Sequence, residues 1–161
     1  MTIKVGDKLP DSTLRTLTAE GPKPVKTGEF FKGRKVVLFA VPGAFTGTCH
    51  KQHMPSFLEH ADKIKAKGVA EVACVAVNDP FVLDAWGKAL GTAGKVTLLS
   101  DGNAEFSKAL GMTFDGSGFG LGTRSKRYAM LVQDGTVKAL EVEESPGQCT
   151  VSSAPSFLAK I

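Results

Sequence analysis

The sequence has few of the features that mark membrane-spanning or secreted proteins. None of its apolar runs is long enough to cross a bilayer, although 42% of its 161 residues are hydrophobic. It contains three cysteines, and their spacing is not that of a disulfide framework. This low and unpaired cysteine content argues against a secreted, disulfide-rich scaffold and fits a reducing compartment.

The sequence also lacks a concentrated basic region, despite a formal net charge of +4. Its lysines are scattered, and no basic cluster alternates with aromatic residues, so nucleic acid is not an expected partner. Residues Met1–Gly6 have neither the apolar core of a signal peptide nor the arginine-rich pattern of a transit peptide. We therefore expect no membrane association and a cytoplasmic location, with an organelle left open if a transit peptide has been removed.

Apolar runs and turn residues alternate along the chain in the order of an α/β protein. The β-branched runs at 36–41 and 72–77 predict buried parallel strands, and each precedes an apolar pattern of helical period. Asp134-Gly135 predicts the turn of a hairpin formed by 128–132 and 136–142. These patterns predict a single domain over residues 1–161 with a thioredoxin-like fold, in which helices flank both faces of a central mixed β-sheet.

The most informative residue is Cys49, which follows the first buried strand and begins a helix predicted over residues 49–67. Pro55 is expected to kink this helix near its start. Unpaired N–H groups and the macrodipole at a helix amino terminus favour a thiolate over a thiol. Thr46 and Thr48 are natural capping residues, and Thr46 has the length to hold a polar substrate. A reactive thiol is therefore expected, although most cysteines without a disulfide are packed apolar residues.

Three other kinds of chemistry find little support in the sequence. A dithiol pair is missing because the positions three before and three after Cys49 are Thr46 and Gln52. Cys49 and His53 could share a helix face, but no second ligand cluster supports zinc. The glycine-rich segment 116–122 fits no G-x-G-x-x-G register and is expected to be a flexible loop. We therefore expect neither a metal nor a cofactor.

The segment Pro42–Cys49, PGAFTGTC, resembles the PGAFTPTC signature of type II peroxiredoxins, the peroxiredoxin-five-like branch of the thioredoxin superfamily. KVGDKLPD, KAKGV, ACVAVNDPFV and LGTRSKRYAMLVQDG followed by VKALEVE also resemble that family in order and spacing, over nearly the whole chain. Gly47 stands where proline is common, and His50 stands where serine is frequent. Neither departure removes a reacting group, so they bear on the rate and the pH optimum and not on the presence of activity; His50 either favours the thiolate further or faces solvent.

The resemblance implies roles for four residues. Cys49 corresponds to the peroxidatic cysteine, which attacks a hydroperoxide and becomes a sulfenic acid. Thr46 corresponds to the hydroxyl that holds the peroxide, and Pro42 to the residue that shields the thiolate, while Phe45 can also exclude water. Arg127 corresponds to the arginine that stabilises the thiolate and the departing oxygen. Without the resemblance, Arg127 would be interpreted as a surface charge at a strand edge.

The sequence offers two cysteines that could resolve a sulfenic acid. Cys149 lies in a loop before the last predicted helix, where animal-like members carry a resolving cysteine, although alignment places theirs at Val151. Cys74 matches a cysteine of plant-like members, but it lies within a strand and is more simply a packed core residue. The alternative is a one-cysteine cycle in which glutathione or glutaredoxin attacks Cys49 directly.

The resemblance implies a thiol-dependent peroxidase that reduces hydrogen peroxide and alkyl hydroperoxides. It also implies regeneration by glutaredoxin and glutathione or by thioredoxin, and a homodimer packed near the active sites. A thioredoxin-fold binding protein, either a redox sensor or a chaperone-like holdase, is the hypothesis from a different class. Cysteine-dependent acyl transfer ranks last because no histidine and asparagine pair is evident to orient a base.

Overall fold

The computed structural model describes residues 2–161, which form a mixed β-sheet covered by helices on both faces. The strands are β1 (Thr13–Thr18), β2 (Gly21–Lys26), β3 (Lys35–Val41), β4 (Glu71–Ala76), β5 (Thr97–Ser100), β6 (Thr113–Asp115), β7 (Thr123–Ser125), β8 (Tyr128–Gln133) and β9 (Thr136–Val142). The α-helices are α1 (Thr27–Phe30), α2 (Met54–Lys65), α3 (Pro80–Leu90), α4 (Glu105–Leu110) and α5 (Ala154–Leu158).

The main sheet has the strand order β2-β1-β5-β4-β3-β8-β9. Strand β4 pairs in parallel with β3 and β5, whereas β8 pairs antiparallel with β3 and β9. This arrangement confirms the predicted thioredoxin-like α/β fold. The predicted hairpin is also present, and both residues of its turn, Asp134 and Gly135, have positive φ angles of 49° and 77°. A turn of this kind matches the right-handed twist of the strands that it joins.

Two hydrophobic clusters, one on each face of the sheet, explain why β3 is apolar along its length. Alternate residues of a strand point to opposite faces. Val37, Phe39 and Val41 therefore belong to the cluster under α2, α3 and α5, while Val36 and its alternate neighbours belong to the cluster under α4. Both faces of β3 are removed from water, and every residue from Val36 to Val41 is fully buried.

Three features of the fold differ from the sequence-based expectations: strand β2, the short antiparallel pair of β6 and β7, and the start of the helix after Cys49. Strand β2 was not predicted, because Pro22 and Pro24 lie within it; it pairs only with β1 at the edge of the sheet, where a missing N–H is tolerated. The helix predicted over residues 49–67 is divided into a π-helical turn, Cys49–His53, followed by α2. The N–H of Met54 donates to the carbonyl of Cys49, five residues back, just before Pro55, which has no N–H to donate.

Candidate active site

Cys49 lies at the carboxyl end of the parallel strands. The loop after β3 is fixed to the end of β4, because Ala44 N donates to Asn78 Oδ1 at 2.9 Å. His50 N donates to Thr46 O at 3.0 Å, so Cys49 lies in the first turn of the helical segment that follows. Its side chain is only 1% exposed. The structure therefore places this thiol at a helix amino terminus, as the sequence predicts.

The two threonines of this loop do not cap the helix with their side chains. Thr46 Oγ1 donates to Gly43 O at 2.7 Å, and Thr48 Oγ1 donates to Gly147 O at 2.9 Å. The capping expectation is therefore wrong, because neither hydroxyl oxygen accepts a hydrogen bond from a backbone N–H of the first helical turn within residues 2–161. Thr46 remains half-buried in the turn before Cys49, with its hydroxyl oxygen still able to accept a hydrogen bond.

The side chains of Pro42, Phe45 and His50, in and after the loop that follows β3, differ in exposure and in their partners. Pro42 is buried, and its carbonyl accepts a hydrogen bond of 3.1 Å from Arg124 Nη1. Phe45 is 51% exposed and stacks on the His50 ring, so this side chain does not shield the loop from water in the single chain. His50 Nδ1 accepts from Trp86 Nε1 at 2.9 Å, so His50 does not simply face solvent.

Arg127 lies against the sulfur of Cys49. It precedes Tyr128, which pairs with Ala40 near the end of β3, so the register of β8 brings the guanidinium to the loop. Its Nη2 donates to Cys49 Sγ at 2.9 Å, and the side chain is only 2% exposed. The interpretation as a surface charge at a strand edge is therefore wrong. The buried guanidinium therefore places a permanent positive charge and a hydrogen-bond donor beside the sulfur.

The guanidinium of Arg127 is held by two further partners. Pro146 O accepts from Arg127 Nε at 3.1 Å and from Nη2 at 3.0 Å, and His53 Nδ1 lies 2.9 Å from Nη1. On its other side, His53 Nε2 lies 3.0 Å from Ser152 O. Because a carbonyl only accepts, we assign the proton to Nε2, and Nδ1 then accepts from Arg127. Burial and the Arg127 charge lower the pKa of His53 to about 3, so the ring is neutral at physiological pH.

Glu143 binds the segment after β9 that also contains Pro146 and Ser152. Its Oε2 accepts from Thr150 N, Ser152 N and Ser152 Oγ at 2.8, 2.8 and 2.5 Å, and its Oε1 accepts from Thr150 Oγ1 at 2.8 Å. Burial acts to raise the pKa of Glu143, but the hydrogen bonds from Ser152 and Thr150 outweigh it and lower the pKa. The carboxylate is therefore charged at neutral pH.

A family model and two similar sequences indicate the family of this chain. The Redoxin family matches residues 4–158. Peroxiredoxin-2E-2, chloroplastic, of Oryza sativa subsp. japonica is 54% identical over 162 residues, covering 98% of this chain and 72% of that protein. Peroxiredoxin-2E, chloroplastic, of Arabidopsis thaliana is 49% identical over 160 residues, covering 97% of this chain and 68% of that protein. This chain belongs to the peroxiredoxin family. As a peroxiredoxin, it is a thiol-dependent peroxidase that acts on a peroxide and needs a thiol reductant.

A solved structure agrees with this assignment. The crystal structure of reduced Prx3 in complex with hydrogen peroxide from Vibrio vulnificus superposes with a TM-score of 0.93, at 49% identity, over 99% of each chain. The same fold is therefore found in a peroxiredoxin that was crystallised with a peroxide.

The other two cysteines of this peroxiredoxin lie in contrasting surroundings. Cys149 is partly buried in the segment between β9 and α5, and Cys74 is fully buried in β4, opposite Phe39. Burial, with Cys49 as a lesser cause, raises the pKa of the Cys74 thiol well above its usual value. The sequence-based interpretation of Cys74 as a packed core residue agrees with this position.

Sequence reasoning missed two residues of this peroxiredoxin's network. His53 follows Cys49 by four residues, and this spacing suggested only a weak zinc site. It could also have indicated that the two side chains share the buried face of the helix. No sequence signal identified Glu143, because its partners come from a segment without regular periodicity. Within residues 2–161, no group of three or more His, Cys, Asp or Glu side chains is placed to hold a metal ion. No helix in that range has the length and hydropathy needed to span a membrane.

We expect the buried His53 to make the stability of this peroxiredoxin depend on pH. In the unfolded chain His53 takes up a proton near pH 6.5, whereas in the folded chain it does so only near pH 3. The unfolded state therefore holds more protons in this interval, and the His53 contribution to the unfolding free energy falls by about 1.4 kcal/mol per pH unit as the pH is lowered. Urea denaturation between these pH values measures the slope.

The variant His53→Gln should have a smaller slope, because it removes the titrating ring. His60→Gln is the matched control, since His60 lies on α2 and outside the Arg127 network. Equal slopes in the wild type and in His53→Gln would contradict the prediction.

Proposed function

We propose that this peroxiredoxin reduces hydrogen peroxide and alkyl hydroperoxides through a sulfenic acid on Cys49. The single observation that carries the proposal is the 2.9 Å hydrogen bond from Arg127 Nη2 to Cys49 Sγ. The thiolate attacks the terminal oxygen of the hydroperoxide, a sulfur–oxygen bond forms and the oxygen–oxygen bond breaks. The departing oxygen takes a proton and leaves as water or an alcohol.

The hydrogen bonds that Arg127 and Thr46 make, and the donor and acceptor that they leave free within residues 2–161, support roles for both residues in this step. A guanidinium has five N–H donors, and four of those of Arg127 are directed to Pro146 O, His53 Nδ1 and Cys49 Sγ. One N–H, on Nη1, has no partner in residues 2–161, and we propose that it binds the departing oxygen. Because the Thr46 hydroxyl donates to Gly43 O, its oxygen is left to accept the peroxide O–H. Buried Pro42 would exclude water from the sulfur.

Mass spectrometry combined with a turnover assay tests this function. After one equivalent of hydrogen peroxide, the intact protein should gain one oxygen on Cys49, or lose two hydrogens if a second thiol of the chain has reacted. With glutathione and glutaredoxin, or with thioredoxin and its reductase, peroxide should then be consumed over many turnovers. A redox sensor would react once with peroxide and fail to turn over with either donor.

We propose that an external thiol regenerates Cys49, supplied by glutaredoxin with glutathione or by thioredoxin. The attacking thiol must be a thiolate, because the thiol form is a poor nucleophile. Burial, more than any other influence, raises the pKa of Cys149 to about 11, so little of it is ionised at neutral pH. Cys149 is the internal alternative, and the fully buried Cys74 is less suited.

The raised pKa of Cys149 predicts that its reactions accelerate with pH. Between pH 7 and 9, its thiolate fraction should rise about tenfold per unit, because both values lie below its pKa. The rate of Cys149 alkylation by iodoacetamide, followed by peptide mass spectrometry, should rise by the same factor. Formation of an internal disulfide that uses Cys149 should show the same dependence. An alkylation rate that does not change with pH would contradict this assignment.

We propose a homodimer packed near the active sites, with exposed phenylalanines in its interface. Phe45 follows β3, and Phe81 is the second residue of α3, which follows β4, so both lie at the carboxyl edge of the parallel strands. Phe119 lies in the loop before Arg124, which binds Pro42 O at the same edge. The three side chains are 51%, 60% and 85% exposed, an unusual amount of apolar surface for one edge.

Replacing the most exposed of these residues should separate the subunits. Phe119→Glu would place a charge in the apolar interface, so light scattering after size exclusion should give the mass of one chain. The control is Val5→Glu, because Val5 is also exposed but precedes Gly6, whose N–H donates to Val137 O near the hairpin turn at the other end of the sheet. Wild type and Phe119→Glu with the same mass would argue against this interface.

We propose that the chain works in a reducing compartment, either the cytoplasm or an organelle. The low cysteine content of the sequence, without the spacing of a disulfide framework, supports a reducing compartment. The cytoplasmic location remains a prediction, while the names of the two plant relatives support the organelle alternative. Fractionation of the source cells with an antibody to the chain would distinguish the two.

A further inference from the structure

Glu143 connects the main chain of Arg127 to the segment that carries Cys149. Its backbone N donates to Arg127 O at 3.0 Å, which continues the β8–β9 pairing one step beyond Tyr128 and Val142. Its side chain, in a residue only 6% exposed, accepts the four hydrogen bonds from Thr150 and Ser152 described above. One residue therefore contacts both the strand that carries the guanidinium and the segment that lies over it.

The segment 145–152 has no regular secondary structure, and residues 144–148 are exposed. Three of its carbonyl groups nevertheless accept hydrogen bonds from residues of the active site: Pro146 O from Arg127, Ser152 O from His53 and Gly147 O from Thr48. The carbonyls of an exposed segment orient a buried guanidinium only if the segment itself is fixed. Within residues 2–161, the Glu143 carboxylate makes more hydrogen bonds to this segment than any other side chain does.

The carboxylate of Glu143 forms no ion pair within residues 2–161, so neutral donors alone satisfy its charge. Hydrogen bonds to a carboxylate are about twice as strong as those between neutral groups, so four of them hold the segment firmly. An apolar side chain at this position would leave the N–H and hydroxyl groups of Thr150 and of the buried Ser152 without these acceptors.

We infer that Glu143 is a positioning residue of the peroxidase site: its carboxylate fixes segment 145–152 so that Pro146 O and Ser152 O orient Arg127 and His53. This inference rests on the proposed roles of Cys49 and Arg127. Glu143 itself touches neither the sulfur nor the substrate. Its influence passes through the two carbonyls to the guanidinium that donates to Cys49 Sγ.

The variant Glu143→Ala removes all four acceptor interactions, and Glu144→Ala, at the exposed neighbouring residue, is the matched control. We expect Glu143→Ala to lower the second-order rate constant for hydrogen peroxide by about tenfold to a hundredfold, since a displacement near 1 Å has effects of this size. The thiolate absorbance of the reduced protein at 240 nm should also fall at pH 7. Cys149 should be alkylated faster, because its segment is released.

The variant Glu143→Gln should recover most of the rate constant, because its amide oxygen can still accept from Thr150 N and Ser152 N. A purely structural role would lower the melting temperature of Glu143→Ala and leave the rate constant and thiolate absorbance equal to those of Glu144→Ala. That result would overturn the inference. If Glu143→Ala does not fold, Thr150→Val, which removes only the bond to Oε1, decides: a smaller fall in both quantities supports the inference, and unchanged values overturn it.

The proposed function is tested separately by measuring peroxide consumption by the variant Cys49→Ser. If that variant still consumes peroxide like the wild type, the proposed function is wrong. If it is inactive while Glu143→Ala behaves like Glu144→Ala, only the positioning role is wrong.

Discussion

Replacing Cys49 by serine is expected to reduce the rate of hydroperoxide consumption by more than about a thousandfold. A serine hydroxyl is not ionised at neutral pH and is a much weaker nucleophile than a cysteine sulfur, so Arg127 Nη2 would face a group that attacks a peroxide far more slowly. The measurement is the second-order rate constant from stopped-flow mixing of the reduced protein with hydrogen peroxide. We also expect no gain of oxygen at residue 49 in the intact mass.

The control variant is Cys74→Ala, which removes a thiol from the core and leaves the active-site loop unchanged. Its single-turnover rate should remain close to that of the wild type, provided that circular dichroism shows an intact fold. Cys49→Ser needs the same check, because residue 49 is itself buried. Peroxide consumption by a folded Cys49→Ser variant at the wild-type rate would contradict the assignment of the reacting group.

Replacing Arg127 by methionine is the second large effect that we expect, with a rate constant lower by about a hundredfold to a thousandfold. Methionine removes the charge beside Cys49 Sγ and leaves His53 Nδ1 and Pro146 O without their donor. Arg127→Lys keeps the charge but cannot reproduce the planar set of donors, so we expect a loss of about tenfold or more. Absorbance at 240 nm should show a smaller thiolate fraction in both variants at pH 7.

Lys126→Met is the matched control, because it removes an exposed positive charge from the adjacent residue. If the effect of Arg127 arose from the overall charge near the site, the two methionine variants would lose similar amounts of activity. A specific hydrogen bond to the sulfur predicts a large loss only at residue 127. Unfolding curves are needed for Arg127→Met, since each buried polar group left without a partner costs about 1–3 kcal/mol.

Much of the fold could be predicted because its strands carry local signals. Strands β3 and β4 are buried on both faces, and this requirement selects the continuous apolar runs that the sequence shows. The β8–β9 turn needs two residues with positive φ, and Asp134-Gly135 provides them. Strand β2 could not be found in this way, because an edge strand with one partner tolerates prolines that elsewhere indicate a loop.

The site was predictable only in part. The position of Cys49 after a buried strand indicated a thiol at a helix amino terminus, and the structure places it there. Arg127 is 78 residues away from Cys49 in the chain, and no periodicity of its own segment distinguishes it from a surface arginine. The resemblance to a family identified it as a candidate, and the register of β8 against β3 explains how it reaches the sulfur.

By itself, the sequence determined the α/β architecture and the position of Cys49 at a helix amino terminus, because burial, helix periodicity and turn geometry act over a few neighbouring residues. Only the tertiary structure decided that Arg127 is buried, that His53 is its acceptor and that Glu143 holds the segment around Pro146 and Ser152. These contacts join parts of the chain that are far apart in sequence. Their energies depend on distances and on removal from water, and both are fixed only when the sheet and its loops have come together.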